Sequence, residues 1–145
     1  MARRRELDDA LELMHFGFRA IIAEPDRELE KRGLGRVHHR VLYFIRRNER
    51  LTVGGLVTIL AVTKQALHRP LSELVSAKLV VRETEGRFVR LRLSAAGAAL
   101  EEKLSGVQRE HFARAFERGG ERGWRQVMAA LADLSAKTAS SDARS

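Results

Sequence analysis

Apolar positions near the start of the chain form one stripe. Leu7, Leu11, Met14, Phe18 and Ile21 are spaced by four and three, the repeat that gathers side chains on one face of an α-helix. Pro25 follows, and the spacing predicts a helix that stops before it. Asp26 to Arg32 is polar and fits one or two turns ended by Gly33. Val37, Val41, Leu42 and Ile45 predict a second helix of about three turns. Thr52 is placed to cap a short helix carrying Leu56, Val57 and Leu60, which Gly54 and Gly55 weaken by roughly 1 kcal/mol each. Thr63 caps the next helix, with Ala66, Leu67, Leu71, Leu74 and Val75 expected to face inward.

At Phe88 the period changes to two. Val89, Leu91 and Leu93 take one face and Phe88, Arg90 and Arg92 the other, which is a strand, with the turn of a hairpin at Glu85-Gly86. Leu100, Leu104, Val107, His111, Ala115 and Phe116 return to helical spacing. Trp124, Val127, Met128, Leu131 and Leu134 repeat it beyond Gly119-Gly120, and residues from Ser140 onward read as a frayed tail. The pattern therefore predicts a mostly α fold with a small β-hairpin wing: a winged helix-turn-helix over 34–97, helical dimerisation segments over 6–33 and 98–137, and a flexible tail over 138–145. The outer helices carry more apolar surface than so small a central module can cover. That surplus predicts a homodimer, with its two recognition helices about 34 Å apart, one turn of B-DNA.

Composition narrows the partners. With 44% hydrophobic and only 6% aromatic residues, 145 residues suit one helical domain's worth of core. The absence of cysteine excludes disulfides, thiolate metal sites and thiol redox sensing. No apolar run approaches the roughly 18 residues of a membrane span, and Arg3-Arg4-Arg5 leads into an amphipathic stretch, so a soluble cytoplasmic protein is expected. The formal charge is +8, and its distribution is more telling. Residues 63–99 hold seven basic and three acidic side chains, a net of +4, against +3 over 1–62 and +1 from Leu100 onward. The excess peaks on the helix after Thr63 and on the hairpin, where neutralising phosphates would require it.

Double-stranded DNA is the partner this arrangement suits. A capped helix bearing cationic and amide groups fits a major groove, and an arginine-tipped hairpin reaches phosphates or the minor groove beside it. In this reading Thr63 caps the helix and offers its amides to a phosphate, Gln65 reads adenine, and Lys64 or Arg69 reads guanine. His68 lies on the same helix, Arg87 is the wing-tip cation, and Arg90 is a further backbone contact. No Gly-rich phosphate loop, G-x-S-x-G or H-E-x-x-H is present, and no enzyme activity is expected. The competing reading is a winged-helix module that binds an acidic protein, RNA or DNA without sequence preference or ligand response.

The segment Leu60-Ala61-Val62-Thr63-Lys64-Gln65, and above all Glu85-Gly86-Arg87 followed by Leu91-Arg92-Leu93-Ser94-Ala95-Ala96-Gly97, resembles the MarR family of winged-helix regulators over about residues 7 to 137. That family's wing motif is D-x-R, three residues, then L-x-L-T-x-x-G, and the spacing here is the same. The resemblance implies a twofold dimer joined through its terminal helices, and repression relieved by a small anionic or aromatic ligand. Glu85 in place of aspartate is expected to hold Arg87 through a carboxylate–guanidinium bond. The wing is short, and Pro70 lies inside the recognition helix, where an interior proline costs about 3 kcal/mol or bends the helix. His15, Phe16 and Arg19, His39, and His111 and Phe112 would form a pocket for an aromatic or phenolic acid if their helices converge. Some members of the family bind zinc. The scattered histidines here offer no i, i+4 pair, so no metal site or cofactor is expected.

Overall fold

The computed structural model describes residues 2–142, with side chains through Lys137. Its elements are α1 (Ala2–Glu30), α2 (Arg36–Arg47), α3 (Val53–Leu60), α4 (Lys64–Ser76), β1 (Val80–Glu85), β2 (Phe88–Leu93), α5 (Ala95–Glu117) and α6 (Glu121–Asp142). This is the winged helix-turn-helix that the periodicities predict, a helical chain with one antiparallel hairpin. The chain falls into two compact units, residues 1–109 and 110–145.

The first helix departs from expectation. It runs through Pro25 to Glu30 instead of stopping short of the proline. Proline removes the N–H that would reach the Ile21 carbonyl, and Gln108 of α5 supplies a replacement, its Nε2 donating to that oxygen at 3.3 Å. Pro25 itself is buried, so its ring adds to packing while a side chain satisfies the lost bond. The turn after Glu30 closes at Gly33, whose φ of 71° allows Leu34 N–H to reach Leu29 O at 2.9 Å and Gly33 N–H to reach Glu30 O at 3.0 Å, a Schellman closure.

Leu56 of α3, Leu67, Leu71 and Leu74 of α4, and Val41, Leu42 and Ile45 of α2 meet in one apolar core with Val80 and Leu91 of the hairpin. Ala66 lies outside it, exposed. Leu29, Leu100 and Leu104 are buried in the same core, so the packed body extends past residues 34–97 into the end of α1 and the first half of α5. Ser94 caps α5, accepting from Gly97 N–H at 3.0 Å and donating to Lys78 O at 2.7 Å. Polar contacts also join α2 to α5. Arg46 pairs with the fully buried carboxylate of Glu101, and His39 Nε2 lies 3.0 Å from Ser105 Oγ.

The hairpin pairs Val80 with Leu93 and Glu85 with Phe88, leaving Gly86 and Arg87 as a two-residue turn. Gly86 has φ 62° at the first central position, where such a turn calls for glycine. A third strand-like contact braces the sheet: Leu91 N–H donates to Leu51 O at 2.8 Å, and Thr52 bridges to Arg90.

In the second unit Phe112, Phe116 and Trp124 form an aromatic cluster with ring centroids 5.1 to 5.6 Å apart. The α6 backbone continues beyond Ser140 to Asp142, and residues 143–145 of the expected tail lie outside the described residues.

Candidate nucleic-acid interface

The helix-turn-helix is built from two capped helices and a tight corner. Thr52 Oγ1 accepts from Gly55 N–H at 2.9 Å and Thr63 Oγ1 accepts from Ala66 N–H at 3.0 Å, each satisfying a donor that a helix start leaves open. Between them Ala61 takes a left-handed conformation, φ 53°, which ends α3 and turns the chain into α4. With Leu67, Leu71 and Leu74 buried, the 3.6-residue repeat puts Lys64, Gln65, His68 and Arg69 outside, and all four are exposed. Pro70 does not break the helix; α4 is one element to Ser76. The carbonyl it deprives of a donor belongs to the exposed Ala66, where water satisfies an acceptor at little cost.

Arg69 Nε lies 3.2 Å from Glu73 Oε1, but the Arg69 side chain is 91% exposed. An exposed i,i+4 pair is worth only about 0.5 kcal/mol, too little to keep Arg69 from a phosphate. His68 and Arg69 edge an open depression beside α4 that Arg32 and Ser72 also line.

At the wing, Arg87 is exposed and makes no side-chain hydrogen bond, ion pair or ring contact among the described residues. Two expectations about its neighbours need correction. Glu85 does not hold Arg87: its carboxylate takes Arg50, with Nη2 3.0 Å from both oxygens, and Arg90 Nε at 3.3 Å. Arg90 is not a free backbone contact either. It also donates to Arg50 O at 2.7 Å and lies over the Phe88 ring, so its guanidinium is committed inside the protein. Arg92 is paired with Glu83 at 2.7 Å. Nothing in the sequence pattern pointed to Arg50, because its partners lie 35 and 40 positions away.

The residues expected to line a ligand pocket are not brought together in the first unit. His15, Phe16 and Arg19 stand exposed on α1, whereas His39 is buried on α2 and turned to Ser105. His111 and Phe112 belong to the second unit, where Phe112 packs on Phe116 and Trp124. His38, adjacent to His39, is also buried but bonded elsewhere: its Nδ1 accepts from Gly35 N–H at 2.9 Å and its Nε2 lies 3.6 Å from Glu73. Among the described residues no group of three or more His, Cys, Asp or Glu is placed to hold a metal ion. No described helix is long and apolar enough to cross a membrane.

Burial holds the His39 pKa below its ordinary value near 6.5, with Arg40 acting in the same direction against the attraction of Glu101 and Asp26. The unfolded chain therefore binds this proton more readily than the folded one. The contribution of His39 to stability is complete above about pH 6.5 and falls as the pH drops below that value. Thermal melts between pH 7.5 and 5.5 are expected to show this loss, and His39→Gln should reduce its slope. An equal slope in the variant would assign the loss to other groups.

Residues 32–87 match the MarR family. Over 134 residues the chain is 40% identical to the HTH-type transcriptional regulator PetP of Rhodobacter capsulatus, covering 88% of this chain and 81% of that protein. The chain belongs to the MarR family. Solved structures agree in fold. A MarR family transcription regulator superposes with a TM-score of 0.76 over 96% of each chain at 21% identity. A MarR-family regulator from Silicibacter pomeroyi gives 0.69 over 88% of each chain at 26% identity. A mutant of MepR from S. aureus, solved bound to an oligodeoxyribonucleotide, gives 0.61 over 89% of this chain and 97% of that one at 18% identity. In this MarR-family transcriptional regulator, Gly97 closes the wing motif, and its backbone runs against the Leu79 carbonyl. The motif thus ends on a residue required for close packing.

Proposed function

We propose that this MarR-family chain is a sequence-specific repressor that binds a palindromic operator as a homodimer and releases it in response to a small aromatic or phenolic acid. The observation that carries DNA binding is the capped face of α4, with Lys64, Gln65, His68 and Arg69 exposed above a buried leucine row, on the same chain as the unpaired wing-tip cation Arg87. Dimer formation is supported by apolar side chains left open on each terminal helix. Leu7, Leu11, Met14 and Phe18 of α1 are 48 to 69% exposed, and Trp124, Val127 and Leu131 of α6 are 41 to 58% exposed. Stripes of that size on a soluble chain mark a surface meant for a partner. Ligand response rests on the family, with the exposed His15, Phe16 and Arg19 as the α1 candidates and His39 removed from the set by its burial.

The test is duplex binding by fluorescence anisotropy, with the operator obtained by selecting genomic fragments on the purified protein. The selected palindrome is expected to bind about a thousandfold or more tighter than random duplex. Its log affinity should fall with log salt concentration by about 0.9 per neutralised phosphate. Arg87→Ala should weaken binding and reduce that slope by about one. Equal affinity for every duplex would replace the operator reader with a non-specific nucleic-acid binder, and no binding at low salt would overturn DNA recognition altogether.

A further inference from the structure

Arg50 occupies an unusual backbone position. Its φ is 58°, in the left-handed region that side chains other than glycine seldom enter. Both ends of this residue are engaged. The guanidinium reaches the two carboxylate oxygens of Glu85, 3.0 Å from each, and the carbonyl accepts from Arg90 Nη1 at 2.7 Å. Arg90 closes the triangle by donating from Nε to Glu85 at 3.3 Å, and it lies 5.5 Å over the Phe88 ring. The next two residues continue the connection, Leu51 through its carbonyl to Leu91 and Thr52 through its bridge to Arg90, while Thr52 also caps α3.

Glu85 and Phe88 are the two residues that flank the Gly86-Arg87 turn. Glu85 is thus held directly to the segment that starts the helix-turn-helix, and Phe88 is reached through Arg90 of its own strand, while Arg87 between them has no hydrogen-bond or ion-pair partner among the described residues. Hydrogen bonding to Arg50 and the charges of Arg50 and Arg90 hold the Glu85 carboxyl below the usual carboxylate range, which favours the carboxylate that the two guanidinium groups grip.

We propose that Arg50, Glu85 and Arg90 form a latch that fixes the wing tip against the α2–α3 turn and so positions Arg87 for the duplex. This rests on the DNA-binding reading above and adds positioning residues to it. A two-stranded hairpin alone is marginally ordered in water. A loose tip would have to be ordered during binding, and that entropy would be lost from the affinity. The latch orders it beforehand. Because the cluster is largely exposed, with Arg50 67% and Glu85 57% accessible, it adds little to global stability. That difference separates a latch from an ordinary structural contact.

The experiment measures affinity for the selected duplex and melting temperature for Glu85→Ala and Arg50→Gly, each with and without Arg87→Ala. Glu85→Ala is expected to weaken binding about tenfold by releasing the preorganised tip. Most of the Arg87→Ala penalty should disappear in that background. Arg50→Gly should weaken binding similarly while holding or raising the melting temperature, since glycine accepts φ 58° without strain. Parent-like affinity in both latch variants, with Arg87→Ala alone still weakening binding, overturns the latch and leaves DNA recognition standing. A large fall in melting temperature with an undiminished Arg87 penalty assigns the cluster to the fold and also overturns the latch. Failure of the parent protein to bind any duplex removes both.

Discussion

Gly97→Ala is expected to destabilise the protein more than almost any other single-methyl addition. A Cβ at this position would lie 1.9 Å from the Leu79 carbonyl oxygen and 2.8 Å from its carbon. The obstacle is backbone, already fixed by accepting Ser94 N–H at 3.0 Å, so no rotamer change can relieve the overlap. Relief requires α5 to move away from the chain entering β1. Overpacking commonly costs about 1–3 kcal/mol and more where backbone must shift, while alanine returns roughly 1 kcal/mol of helix propensity. Taking the upper end of that range for so deep an overlap, the net loss is expected to be about 2 kcal/mol, a drop of roughly 6 °C in melting temperature. Circular dichroism melts of parent and variant decide it, and an unchanged midpoint would mean that α5 is not seated this closely on Leu79.

Arg46→Ala is expected to have a comparable effect for an electrostatic reason. Its partner Glu101 has a side chain with no solvent exposure, and Glu101 Oε2 has no hydrogen-bond partner of its own among the described residues. Arg46 is the guanidinium that compensates this carboxylate, and it also lies 5.4 Å from the Tyr43 ring centroid. Removing it leaves a buried charge uncompensated, which typically costs about 3–5 kcal/mol. The pair itself is not a large stabiliser, because burying both charges costs about as much as their attraction returns. The double variant Arg46→Met with Glu101→Leu is therefore expected to recover most of the lost stability. Chemical denaturation of the three variants tests this. A single-variant loss below about 1 kcal/mol would show that water or a proton compensates Glu101 unaided.

Much of this protein was legible in its amino-acid order. The switch from helical to period-two spacing at Phe88 located the wing strand, and the threonines at 52 and 63 marked the starts of α3 and α4. The leucines at 67, 71 and 74 determined which face of α4 is buried, and hence that Lys64, Gln65, His68 and Arg69 lie outside. These signals act between residues at most about four positions apart, where backbone geometry alone decides who meets whom.

The expectations that failed depend on distant partners. Pro25 reads as a helix stop until Gln108, 87 positions beyond the Ile21 carbonyl, supplies the missing donor. His39 suits a ligand pocket by type, but Ser105, 66 positions away, takes its ring nitrogen in the interior. Glu85 looks like the natural holder of Arg87, yet Arg50 and Arg90 occupy its carboxylate. Local order along the chain determined the elements, their caps and the exposed face of α4, because each follows from the helical or strand repeat. Only the closed fold decided which charges are committed and which are left for a partner, because that depends on groups brought within a few ångströms by packing rather than by spacing.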